Sequence, residues 1–355
     1  MNAFVNQINT RKDSEREYWI DALRGFCMFL VVFMHIENFS IGLGTSESVV
    51  MQVVFTCFLT TFFFISGYVS YRKQVVWSLK YIILKLKDKL IQLLIPALIV
   101  SNLYNICFEK DLFLFFSEGF HRYWFLIVLF ETFICFYFIN WINYLLKNRY
   151  FEIIMITITI FIIIIPTFIT VNGIWREILS INNLSIYFPF FVIGVLSRKY
   201  QFLFERIIFS EYLITLGLLS FVIIEYVICS AHTTDMYVTY GKIGYLMQIT
   251  VKYIATYILI ALFYRNSKIF QQNTRLIKSL CLLGRQTLDI YLLHWFFIPT
   301  IPTLYIYVQN GINPIFEIVF SSIIATIVIL AAWTTGIVIK NSKWLSKWLL
   351  GTRII

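Results

Sequence analysis

An arginine and a histidine sit where the rest of the chain is oily. The stretch Trp19–Asn38, WIDALRGFCMFLVVFMHIEN, carries Asp21, Arg24 and His35 among mostly apolar residues. At about 3.6 residues per turn, Asp21, Arg24, Met28 and His35 share an arc of about 60° on a helix. Arg24 and His35 then face the same way, separated by about 16 Å along the axis. A charge in hydrocarbon costs about 2.5–3.5 kcal/mol, so such a stripe is expected to face a bundle interior or a wet cavity. A histidine titrates near neutrality and suits general-base work. A core histidine hydrogen-bonded to a neighbour is the other reading of His35. Against that reading stands Arg24, which needs its own reason to lie on the same buried face.

A second polar face lies in LGRQTLDIYLLH, where Gly284, Thr287, Tyr291 and His294 follow helical spacing. Asp289 points away from it and is expected to pair elsewhere. His294 is expected at the depth of His35, so the two imidazoles would share a polar cavity. A hydrogen bond that packs two helices explains His294 equally well. In Thr60–Tyr68, TTFFFISGY, Ser66 and Gly67 permit close packing and the aromatics read as core. In His121–Leu126, HRYWFL, Tyr and Trp read as interfacial anchors. His121 and Arg122 there are either surface charge or substrate contacts. Glu131 needs a partner, for which Arg24 is one candidate; Glu225, Lys252 and Glu317 are unassigned. Nucleotide-loop, dinucleotide, metalloprotease and metal-ligand patterns are absent, as is the HxxxD signature of soluble acyltransferases. No metal and no bound cofactor are expected.

The elements that must hold these residues are membrane helices. Of 355 residues, 59% are hydrophobic and 14% charged, which is the composition of an all-α polytopic membrane protein. Apolar runs place ten spans at 18–38, 49–70, 90–108, 122–145, 151–171, 184–198, 207–229, 245–264, 280–308 and 314–339. The net charge of +10 raises the question of nucleic acid, but the distribution answers it. Residues 1–24, 71–89, 146–150, 197–206, 265–285 and 340–355 hold 24 of the 29 Lys and Arg. By the positive-inside rule both termini are cytoplasmic, the number of spans is even, and the basic residues serve topology and lipid contact. The loop Tyr71–Lys89 is the most basic and also suits a phosphate-rich ligand. Residues 1–14 and 341–355 are expected as cytoplasmic tails around a membrane domain at 15–340. The N-terminus lacks a secretory-signal pattern, and six scattered cysteines behave as small hydrophobes.

Taken in order, IDALRGFCMFLVVFMH, FFFISGY, HRYWFL and LGRQTLDIYLLH resemble the integral-membrane acyltransferase family 3, whose members O-acylate surface glycans and some small molecules. The resemblance spans about residues 15–340, and its most specific element is the arginine, ten residues, histidine pattern of Arg24 and His35. It implies a multi-pass protein of the cytoplasmic (plasma or inner) membrane that takes acetyl-CoA or another acyl-CoA as co-substrate. It also implies a glycan or lipid-linked sugar as acceptor, with no nucleic-acid partner, and leaves the oligomeric state open. By motif, His35 would be the essential histidine, and Arg24, with Arg72, would hold the donor. Asp21, Tyr291, His294 and Glu131 would be supporting polar residues. A polysaccharide exporter or transporter using the same buried stripe is the alternative. The half-to-half symmetry common in transporters is not seen.

Overall fold

The first apolar stretch contains no proline and folds as one helix, α1, Tyr18–His35, with Asp21 in its first turn, where the helix dipole favours an acid. The computed structural model describes residues 16–45, 47–73, 75–109, 122–168, 180–231, 236–272, 274–301 and 313–352. At His35 the α-helix gives way to a π-helical turn, Ile36–Ile41, closed by Gly42 at φ 83°, a left-handed cap that glycine adopts without strain. The change of pitch begins at the residue the sequence singles out.

The helices that follow are α2, Val49–Ser70, capped by the Ser48 side chain; α3, Leu79–Lys89; and α4, Ile95–Tyr104. A π-turn, Leu90–Leu94, joins α3 to α4 just before Pro96, which has no N–H to offer the ladder. Next come α5, Trp124–Leu145; α6, Phe151–Phe168; α7, Ile181–Lys199; and α8, Gln201–Ile208. The last group is α9, Glu211–Ser230; α10, Met236–Arg265, broken at Gly241; α11, Arg275–Arg285; α12, Thr287–Leu293; α13, Pro314–Lys340; and α14, Lys343–Leu350. No strand occurs among the described residues.

Among the described residues, seven helical segments are long and apolar enough to cross a membrane: α1 with its π-turn, α2, the run Leu79–Phe108, α5, α9, α10 from Gly241, and α13. The expected spans at 151–171 and 184–198 are single helices over their described residues, α6 and α7, and lie outside these seven, whereas that at 280–308 takes another form. The start of α7 is polar, with Asn182 and Asn183, and Pro189 lies inside it. The expected single helix 280–308 is broken, because the chain turns at Gln286 and again at His294–Phe297, a short 3₁₀ element. Likewise, the basic stretch 71–89 is a loop only in its first half. Lys80, Lys85, Lys87 and Lys89 ride on α3. Within the expected C-terminal tail, α14 packs against α4.

Close approaches through glycine set the centre of the bundle. A Cβ on Gly284 would overlap the carbonyl of Asp21, and one on Gly25 would overlap that of Leu280, so α1 and α11 touch backbone to backbone. Gly67 and Gly194 do the same for α2 and α7. The apolar window of α1 is 72% buried and that of α9 only 11%. The helix carrying the polar stripe is therefore central, and α9 is peripheral.

Candidate functional site

Two cavities lie along the polar stripe of α1, one at each end. The first, of about 440 Å³, is lined by Arg24, Arg72, Lys85 and Lys89 among aromatic and aliphatic walls. Arg24 enters it from α1, Arg72 from the segment after α2, and the two lysines from α3. Arg24 makes no hydrogen bond or ion pair with the described residues. Lys85 lies 3.7 Å from Asp88, and Lys89 donates to Gln92 at 3.3 Å and covers the Phe133 ring at 4.1 Å. Ser66 and Ser70 of α2 face the same space, as do Thr287 and Tyr291 of α12. Four cations around one volume suit an anion with several charged oxygens.

The second cavity, of about 320 Å³, is lined by His35, Asn38, Arg122, Trp124 and Trp295, with Val31, Met34, Leu59 and aromatic neighbours completing the wall. His35 is half-buried, and its Nδ1 is buried with no hydrogen-bond partner. The His35 ring stacks on His294, centroids 5.2 Å apart and planes 21° apart, and meets Trp295 at 4.4 Å. His294 is fully buried. Its Nδ1 lies 3.0 Å from the Ile290 carbonyl, which can only accept, so Nδ1 carries the hydrogen and Nε2 holds a lone pair. That Nε2 is buried without a partner. The Arg122 guanidinium covers the Tyr104 ring at 4.4 Å and the Trp295 ring at 5.8 Å.

Both cavities depend on α12 being held beside α5. The Tyr123 hydroxyl donates to the Leu292 carbonyl at 2.9 Å, and the Tyr291 hydroxyl to the Arg122 carbonyl at 3.4 Å. At its other end α12 is tied to α13 by Lys340, which pairs with Asp289 and donates to Gln286. Asp289, pointing away from the Tyr291 face, thus has its own partner.

The sequence-predicted residues divide accordingly. Arg24, Arg72 and Tyr291 share the basic cavity; His35 and Tyr291 share the other, with His294 stacked behind. Asp21 lines neither. Its carboxylate takes Arg16 at 2.8 Å and Arg285 at 3.2 Å beside the Gly25–Gly284 crossing, where it brackets α1 to α11. No hydrogen bond or ion pair joins Glu131 to Arg24 among the described residues, and Glu131 lines neither cavity. Within FFFISGY, Ser66 faces the basic cavity while Tyr68 accepts from Arg198 at 3.0 Å, and Arg198 also pairs with Glu17 at 2.7 Å. His121 lies outside the described residues.

Sequence reasoning took Lys85 and Lys89 only as part of the basic stretch that suits a phosphate-rich ligand and missed their helical setting, although their four-residue spacing on an amphipathic stretch is a helical signal. It also passed over Trp295, next to His294, and Glu37, two residues past His35. Glu37 is fully buried, with both carboxyl oxygens unpartnered, in the π-turn.

A family profile described as an acyltransferase domain, that of the acyltransferase 3 family, matches residues 17–334. No curated protein and no solved structure matches the chain significantly.

Proposed function

This chain belongs to the acyltransferase 3 family and is a multi-pass membrane acyltransferase, and from that premise we propose that it moves an acetyl group from acetyl-CoA to a hydroxyl of a cell-surface glycan or its lipid-linked precursor. The observation that carries the proposal is the pair of cavities on one helical stripe, a basic one at Arg24 and an aromatic one at His35. A cluster of cations suits the phosphates of coenzyme A. Tryptophan faces beside a few polar groups suit a sugar ring.

In this reading Arg24, Arg72, Lys85 and Lys89 hold the donor, and its pantetheine arm lies along α1 toward His35. The acceptor hydroxyl enters the His35 cavity. His35 takes the hydroxyl proton as the oxygen attacks the thioester carbonyl. The tetrahedral intermediate then collapses, the carbon–sulfur bond breaks, and His35 returns the proton to the departing thiolate. One ester and one coenzyme A thiol result, with no oxidant or metal required. His294 acts as a positioning residue, its stacked ring fixing the plane of His35. Tyr291, common to both cavities, supports the path between them.

The charge asymmetry of the chain sets the remaining part of the proposal. In this reading the positive-inside distribution assigns both termini and the basic cavity to the cytoplasmic side of the plasma or inner membrane, where acyl-CoA is available, and the His35 cavity to the other face. The test is base-labile acyl ester on the host's surface glycans, compared among cells with the native protein, a deletion, and His35→Ala at matched membrane expression. Loss of ester in the deletion and in His35→Ala, with the glycan still at the surface, is the expected result. Loss of the glycan itself would identify an exporter and overturn the proposal.

A further inference from the structure

The two cavities are distinct, yet four side chains line both: Val31, Leu59, Phe125 and Tyr291. Each comes from a different helix, α1, α2, α5 and α12 respectively. All four are nearly inaccessible, at 2%, 7%, 7% and 6% exposure. Val31 sits one turn before His35, about 6 Å along the axis. Met28, one turn further back, faces only the basic cavity, and Met34 and His35 face only the other. The ring of four therefore lies between the cations and the histidine.

The four side chains differ in how firmly they are held. The Phe125 ring is braced by Phe62 at 5.7 Å and Phe63 at 5.3 Å. It meets the Tyr291 ring at 5.4 Å, and Tyr291 is tethered through its hydroxyl to Arg122. Interlocked aromatic rings make a rigid half of the ring. Val31 and Leu59 form the aliphatic half, and their side-chain volume sets how much space remains beside the aromatics.

We propose that Val31, Leu59, Phe125 and Tyr291 form a constriction that sets the length of the acyl group this protein transfers, admitting a short acyl thioester and holding back a longer one. The inference rests on the acyltransfer reading above and adds a specificity determinant to it. A thioester held by cations at the Arg24 end reaches His35 only between these side chains. Each additional methylene on the acyl group must fit there or beyond it, beside the acceptor. In a packed apolar site one methylene changes discrimination by about 10-fold to 200-fold. The constriction is thus expected to separate acetyl from butyryl without any polar recognition of the acyl chain.

The experiment uses the full chain in lipid nanodiscs with acetyl-, butyryl- and octanoyl-CoA, reading coenzyme A thiol released per acceptor ester formed. Leu59→Ala and Val31→Ala are expected to raise kcat/KM for butyryl-CoA relative to acetyl-CoA by about 10-fold or more. Leu59→Val, a smaller change that spares folding, is expected to move the ratio the same way by less. Val31→Phe is expected to suppress transfer from every donor, while displacement of a fluorescent coenzyme A analogue from the basic cavity stays within about twofold of native. An unmoved ratio in Leu59→Ala, Val31→Ala and Leu59→Val, with the native protein active, overturns the constriction and leaves acyltransfer standing. Full transfer by Val31→Phe has the same meaning. No thiol release by the native protein from any donor overturns the acyltransfer reading itself.

Discussion

His35 and His294 stack with ring centroids 5.2 Å apart and planes 21° apart, on helices whose positions are 259 residues apart in the chain. Only the His35 ring lines a cavity, while His294 is sealed behind it with Nδ1 spent on the Ile290 carbonyl. The pair is asymmetric, and its two members are expected to fail differently.

Replacing His35 with Ala removes the proposed base and is expected to lower kcat by about 10²–10⁴. His294→Phe keeps a ring against His35 and is expected to retain activity within about tenfold of native, whereas His294→Ala, which frees the His35 ring to turn, loses more. Steady-state kinetics on matched preparations decide it. Equal losses in His294→Phe and His35→Ala would make His294 a chemical participant and not a positioning one.

The basic cavity gives a second expectation. Arg24→Gln removes a cation that pairs with no described residue and is expected to raise KM for acetyl-CoA by about tenfold, since a hydrogen bond to a charged group contributes about 1.5–3 kcal/mol. Lys85→Gln and Lys89→Gln should act in the same direction by less, because each already has a protein contact. All three effects should shrink as salt screens the native site. Unchanged KM values would place the donor elsewhere.

The Gly25–Gly284 crossing predicts a defect of packing. Gly284→Val puts side-chain atoms into the carbonyl of Asp21 and is expected to cost at least about 1–3 kcal/mol, the range for overpacking a closed core. The observable is a lower unfolding temperature in detergent, read by intrinsic tryptophan fluorescence. A native transition for Gly284→Val would mean that α1 and α11 are not in backbone contact.

Lys340 holds the buried Asp289 at the start of α12. Lys340→Met leaves that carboxylate without its partner and is expected to destabilise the protein by about 3–5 kcal/mol. The double variant Lys340→Met, Asp289→Leu removes the orphaned charge and should recover most of the loss. Failure of the double variant to recover would assign the effect to Lys340 alone.

What the sequence discloses follows from which signals are periodic. Arg24 and His35 can be placed on one face because α1 is long and has no proline. The pairing of His35 with His294 is legible as two imidazoles at one depth, since both helices were assigned the same direction. The helical half of the 71–89 stretch is hidden because its lysines mimic a topogenic loop, and only the π-turn before Pro96 reveals that α3 runs on into α4. The breaks at Gln286 and at His294–Phe297 are hidden for the opposite reason: an unbroken apolar run reads as one span, while the turn that brings Trp295 to the cavity leaves no mark in hydropathy. The ring of Val31, Leu59, Phe125 and Tyr291 needs four helices at once, and no local pattern encodes it.

The most direct test of the central claim is sided acyl transfer in proteoliposomes. Radiolabelled acetyl-CoA is supplied only to the face carrying Lys85 and Lys89, and a glycan or lipid-linked acceptor is present, with His35→Ala as control. Labelled ester on the acceptor and a matching yield of free coenzyme A thiol, both lost in His35→Ala, is the predicted result. Equal labelling by His35→Ala, or movement of the glycan across the bilayer with no thiol released, would contradict the account.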